Sequence, residues 1–180
     1  AQTEAELIRS RMILEPVVDL LNLRISLSDP EIGFVDRVKS RRTDTQVNST
    51  QGVTLKTSDG QAKVSQFNVS QGYLNQSFTL TKSKTGFTLS NDFEEFKGEI
   101  NKPHQFKGVD GQIQITVNDL PADEHPITIV KKSLQMTTND INQVLSVVEK
   151  GKQTGIIELS MTGSNQQQTS LVLKEIVLSY

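Results

Sequence analysis

Two side chains of this chain are best suited to moving a proton or holding a metal near neutral pH: His104 and His125. His125 follows Asp123 and Glu124, so three potential donors stand in a row. Donors at adjacent positions seldom turn toward one ion, and no second histidine lies nearby in sequence. Both histidines therefore read as residues of solvated polar loops. Glu94-Glu95 could supply the carboxylate pair of glycoside hydrolysis. Neighbours on an extended chain point to opposite faces, so the pair reads as a charged turn instead. Lys150-Gly151-Lys152-Gln153-Thr154-Gly155 has the residue types of a phosphate cradle without the G-x-x-x-x-G-K-[ST] spacing. No nucleophile-elbow motif accompanies the serines. Cysteine is absent, which removes thiol catalysis, disulfides and cysteine-ligated metals. The expectation is a non-enzymatic segment with no catalytic residue, no cofactor and no metal.

Charge gives one further candidate. Arg37, Lys39, Arg41 and Arg42 place four cations within six residues. Such a run can meet an anionic polysaccharide or lipid headgroups, or can be an ordinary solvated face. Over the whole chain 19 Lys and Arg stand against 21 Asp and Glu, so the basic excess of a nucleic-acid binder is missing. There is no Trp, and only two Tyr and seven Phe, too few for a sugar-stacking platform. Matches to N-x-[ST] at Asn48, Asn68 and Asn75 read as chance in a Ser- and Thr-rich chain.

The elements that would carry these residues are legible from periodicity. In a chain of 180 residues, apolar types make up 34%, a thin supply for a core of this length. A neighbouring subunit could complete such a surface. No run of about 18 apolar residues could cross a bilayer, and no signal peptide is visible. Both ends read as cut within helical sequence. Residues 3–23 have helical spacing, with Thr3 and Glu6 forming a capping box and Leu7, Leu14 and Leu21 recurring beside Ile13, Val17 and Leu20. Pro16 predicts a break near Glu15 and a second helix starting at the proline. Residues 24–52 show little periodicity.

From Val53 to Lys131 the period becomes two. The predicted strands are Val53–Lys56, Ala62–Ser70, Ser77–Lys82, Phe87–Ser90, Lys97–Ile100, Gln112–Asn118 and Pro126–Val130, separated by glycine-bearing turns. Val64, Phe67 and Val69 break strict alternation and predict a bulge. Residues 133–143 suit a short helix. Leu145–Glu149 and Gly155–Met161 suit a hairpin. Ser164 suits the cap of a final helix on Leu171, Val172, Ile176 and Val177. The fold class is α+β, with a mixed or antiparallel sheet and packed helices at both ends. The expected organisation is 1–52 helices and loop, 53–131 β-rich segment, and 132–180 helix, hairpin and helix.

The string Leu7-Ile8-Arg9-Ser10-Arg11-Met12-Ile13-Leu14-Glu15-Pro16-Val17-Val18-Asp19-Leu20-Leu21-Asn22-Leu23 resembles the first periplasmic helices of the chain-length determinant family, the polysaccharide co-polymerases. Their pattern is close to L-x-x-S-R-x-V-L-x-P-V-V-D-x-L-x-L. Leu145 to Gly163 resembles the branch fused to bacterial tyrosine autokinases, the Wzc-like proteins. There a strand, an E-x-G-K turn and a second strand precede a helix ending in tyrosine, here Tyr180. The resemblance is specific at both ends and vague across residues 43–110. It implies a periplasmic base domain of an inner-membrane protein, anchored by helices flanking the segment, with a kinase elsewhere in the protein. It also implies ring-shaped homo-oligomers, octameric in many members, that work with a polymerase and an outer-membrane exporter to set polysaccharide length. Arg9 and Arg11 are the expected subunit contacts. Their alternative is a helix-stabilising face paired with Glu4, Glu6 or Glu15. The alternative function is a module that grips the growing polymer through Arg37, Lys39, Arg41 and Arg42.

Overall fold

In the computed structural model, which describes residues 3–31, 46–151 and 155–180, the chain starts with the expected capping box. The Thr3 hydroxyl accepts the Glu6 N–H, and the Glu6 carboxylate accepts the Thr3 N–H. Helix α1 (Glu4–Ile8) ends at Arg9, Ser10 is extended, and α2 runs over Arg11–Leu20. The expected break at Glu15 is thus corrected: the chain turns at Ser10, and Pro16 lies inside α2. Proline denies the Met12 carbonyl its helical partner. Met12 and Pro16 both face solvent, one turn apart, so water can reach the orphaned carbonyl.

Helix α2 buries Ile13, Leu14, Val17 and Val18 against α3 (Leu134–Val144), the hairpin β11–β12 (Leu145–Glu149, Ile157–Met161) and α4 (Gln166–Ser179). These elements form one core, which includes Ile8, Leu21, Ile141, Leu145, Val172 and Ile176. Asn165, not Ser164, caps α4 by accepting the Gln168 N–H at 3.1 Å. Val177 faces solvent rather than the core. We call this body the base. It joins residues from both ends of the described chain, and the Ser179 hydroxyl donates to the Ile13 carbonyl at 2.8 Å.

The described residues 25–31 and 46–131 form a second body, the β-unit, with its own core between two antiparallel five-stranded sheets. One sheet has the order β1 (Ile25–Ser28), β10 (Ile127–Lys131), β5 (Ser77–Ser83), β6 (Gly86–Ser90), β7 (Glu95–Gly98). The other has the order β2 (Gln46–Ser49), β3 (Gly52–Thr57), β4 (Gly60–Val69), β9 (Gly111–Asp119), β8 (Pro103–Gly108). Phe67, Phe78, Phe87 and Tyr73 fill the space between them, each worth roughly 2–3 kcal/mol of burial. The expected bulge is present where β4 pairs with β9, with register shifts at Lys63/Val64 and Val64/Gln66. The strand expected at Lys97–Ile100 begins two residues earlier. Strands β1, β2 and β8 were not expected. β2 turns Asn48 inward and Val47 outward, and β8 is an edge strand with little apolar content, so neither carries an alternating apolar signal.

The two bodies meet where β1 leaves the base and β10 returns to it. Lys132 N–H donates to Arg24 O at 2.7 Å, and Arg24 Nε donates to Lys132 O at 2.8 Å. Beside this neck sits Asn48, 7% exposed. Its Nδ2 donates to the Asn22 and Ile25 carbonyls at 2.9 and 3.3 Å, its Oδ1 accepts from Gln46 Nε2 at 2.9 Å, and its backbone N–H donates to Gln168 Oε1 of α4 at 2.8 Å. Every polar group of the side chain is satisfied. Asn48→Ala should lower unfolding free energy by about 1–3 kcal/mol, because it removes the three side-chain hydrogen bonds of a buried amide and leaves a void at the junction. Asn48→Asp should cost more, because a carboxylate would face two carbonyl oxygens. Urea unfolding of the three proteins measures both, and equal midpoints would show that the junction does not depend on this amide.

Candidate functional site

At the end of the β-unit farthest along β1 and β10 from the neck, three segments bring three carboxylates and one histidine together. β1 ends at Ser28 and is followed by Asp29, 5% exposed, which opens the Asp29-Pro30 turn. The Glu31 N–H donates to Asp29 Oδ1 at 3.0 Å and brings the Glu31 side chain alongside. The β3–β4 turn supplies Asp59, held by the Thr57 hydroxyl at 2.9 Å. The segment between β9 and β10 supplies His125. Glu124 before it has φ +66°, a left-handed conformation uncommon for a side chain of this type. The His125 N–H donates to Ala122 O at 3.1 Å. This tight turn drives the imidazole inward, where it is 5% exposed.

The ring meets carboxylates on both edges. Nδ1 lies 2.8 Å from each carboxylate oxygen of Asp59. Nε2 lies 2.9 Å from Asp29 Oδ1 and 3.5 Å from Glu31 Oε2. The Nε2 contact has an ion-pair distance but lacks the alignment of a hydrogen bond. Burial pushes the His125 pKa down, but the Asp29 and Asp59 carboxylates outweigh it and hold the ring at about 8. The hydrogen bond from His125 in turn holds Asp59 below the usual carboxylate range, against burial. The arrangement stores positive charge between acidic groups: a proton in the simplest case, and a donor set for a cation in another.

The histidine expected in a solvated loop is therefore buried, and its partners are not Asp123 and Glu124 but residues far away in sequence. His104 also departs from expectation. It lies in β8, accepts the Glu99 N–H at Nε2, and stacks on Phe106 at 5.5 Å. Glu94 is half-buried: it accepts the Tyr73 hydroxyl at 2.8 Å and the Val109 N–H at 2.6 Å. Burial raises the Tyr73 pKa, while the hydrogen bonds to Glu94 lower that of the carboxyl despite its burial.

The structure separates the two expected contact arginines. Arg9 turns into the base, where its guanidinium donates to the Asn142 and Leu145 carbonyls at 3.0 and 2.6 Å, capping the end of α3. Arg11 faces solvent and pairs with Glu15 one turn on at 3.1 Å. Arg37, Lys39, Arg41 and Arg42 lie outside the described residues, as does part of the Lys150–Gly155 turn. Among the described residues no helix is long and apolar enough to cross a membrane.

Residues 30–128, more than half of the chain, match the family model of the N-terminal domain of the tyrosine-protein kinase Wzc. Among curated proteins, the chain is 30% identical over 183 residues to the tyrosine-protein kinase ptk of Acinetobacter johnsonii, covering all of this chain and 25% of the relative. It is 26% identical over 180 residues to the tyrosine-protein kinase etk of Escherichia coli K12, covering 98% of this chain and 23% of the relative. It is 26% identical over 186 residues to the tyrosine-protein kinase wzc of Salmonella typhimurium, covering all of this chain and 23% of the relative. The chain spans about a quarter of the length of these relatives. The family match falls on the β-unit, the region where the motifs quoted from the sequence were weakest, and takes in Glu31, Asp59 and His125.

The histidine makes stability depend on pH with a definite sign. Folded His125 keeps its proton to about pH 8, whereas an unfolded histidine releases it near 6.5. The contribution is complete below 6.5 and is lost as pH rises to about 8. It amounts to about 2 kcal/mol. Lys131, which burial and Arg24 push down to about 8 against the pull of Asp19, changes stability in the opposite sense only above that pH. In chelator-treated buffer, unfolding free energy should fall by about 1.5 kcal/mol from pH 6 to pH 8, and His125→Gln should flatten the slope. An equal slope in the variant would assign the effect to other groups.

Proposed function

The chain belongs to the family of N-terminal domains of Wzc tyrosine-protein kinases, and on that premise we propose that it is the periplasmic base of an inner-membrane co-polymerase governing the length and export of a capsular or extracellular polysaccharide. The segment corresponds to the family's N-terminal domain and not to its kinase, so it is the non-catalytic part of the protein. Its work in this reading is geometric: copies assemble side by side into a ring that organises the polymerase and an outer-membrane exporter, while flanking helices anchor it and a kinase acts across the membrane. The family match carries the proposal. The base supports it, since α1 and α4 share one core and could both continue toward a membrane from the same body.

The subunit contact belongs on the outer side of α2. There Arg11, exposed Met12 and Pro16 lie together, with Leu20 47% exposed farther along the helix. Arg9 contributes from beneath, by fixing the end of α3 against the α1–α2 corner. Surface pairs such as Arg11–Glu15 add about 0.3–0.5 kcal/mol at most, so reversing the charge leaves the fold intact and tests the contact alone. In the full-length protein, Arg11→Glu should shift sedimentation toward smaller species and alter the length distribution of exported polymer. Unchanged assembly would overturn the contact, and unchanged polymer length with disrupted assembly would overturn the ring as the length-setting device.

A further inference from the structure

We infer that Asp29, Glu31 and His125 form a binding site for a divalent cation of the zinc class, with Asp59 orienting the histidine from behind. The inference is independent of the role in polysaccharide export and reverses the expectation that the chain holds no metal site. That expectation weighed only the sequence neighbours Asp123 and Glu124, whereas the donors come together from the turn after β1 and the β9–β10 connection.

Three observations converge. One donor atom from each of the three residues lies within 4.8 Å of the others, close enough for a single ion to touch all three. His125 Nε2 is buried, has no aligned hydrogen bond, and points at Asp29 Oδ1 and Glu31 Oε2. Nδ1 rests on the Asp59 carboxylate. A carboxylate at that edge holds the ring proton on Nδ1 and leaves the Nε2 lone pair facing forward, the arrangement by which carboxylates orient metal-ligating histidines. A lone pair on Nε2 and a carboxylate oxygen at 2.9 Å repel unless positive charge lies between them. Either a proton or a metal ion satisfies that requirement.

The chemistry of the set narrows the ion. One imidazole and two carboxylates suit zinc and its neighbours, while calcium wants six to eight oxygens. Three protein ligands leave a tetrahedral ion one open position for water. Asp29 and His125 are buried, but the Glu31 side chain is 57% exposed, so an ion has a path in. Bound there, it would join the end of β1 to the start of β10, with the β3–β4 turn of the other sheet behind it. Its effect would be to fasten the far ends of β1 and β10 to each other.

The test is calorimetric titration of the 180-residue chain with zinc chloride at pH 7.5, beside Glu31→Gln, Asp29→Asn and Asp59→Asn. Glu31 is exposed, so its substitution leaves the fold standing even if Asp29→Asn does not. The expected result is one ion per chain, affinity at least tenfold lower in Glu31→Gln, 10–100-fold lower in Asp59→Asn, and a higher melting temperature for the unsubstituted chain with zinc. Nitrogen-15 spectra should show the His125 Nε2 resonance move on zinc addition. The inference is overturned by no binding at millimolar zinc, by equal affinity in Glu31→Gln, or by an Nε2 that stays protonated with zinc in excess. That last outcome would leave a proton as the site's only cation.

Discussion

A buried amide that must satisfy all its polar groups holds this molecule in one arrangement. Asn48 sits where the α2–β1 corner, β2 and α4 converge, and its hydrogen bonds reach each of them. A polar side chain in such a place is tolerable only when fully partnered. The partners are backbone carbonyls and side chains from segments otherwise free to shift past one another. Asn22, in a left-handed conformation with φ +54°, returns the favour by donating to Ser49 O at 2.9 Å. Apolar packing builds the two cores, and this network sets how the strands enter one from the other.

The neck and the histidine cluster are opposite ends of the same pair of strands. β1 and β10 run antiparallel from Ile25↔Lys131 beside the base to Ser28↔Thr128 near Asp29 and His125. One end is fastened by backbone and amide hydrogen bonds that are indifferent to conditions near neutrality. The other is fastened by charge, and its strength depends on which cation stands between the imidazole and the carboxylates. In sequence, the basic run from Arg37 begins six residues after Glu31.

Local rules were legible in the sequence wherever one residue type decides one backbone choice. The Thr3–Glu6 cap, the glycine-bearing turns, the bulge in β4 and the α3–hairpin–helix order all follow from short-range chemistry. Reading failed where tertiary context reverses the usual sign. β2 buries an asparagine and exposes a valine, so its period points the wrong way. Pro16 stays inside a helix because its missing bond falls on the wet side. The histidine cluster left no local trace, since Asp59 and His125 are 66 residues apart. Two of its carboxylates, Asp29 and Asp59, stand in Asp-Pro and Asp-Gly pairs, whose turn-forming chemistry accounts for them without any ligand role.

The base closes on itself before the β-unit is counted. α1 packs on α2 and α2 packs directly on α4, and the Ser179 hydroxyl ties the last turn of that helix to the Ile13 carbonyl. The β-unit is therefore a side branch, connected in parallel with the base and not in series. A pull or twist entering through α1 reaches α4 through a few ångströms of helix packing and never crosses the sheets. In the opposite direction, strain arising among the sheets can reach the base through the two-strand neck and the Asn48–Gln168 contact.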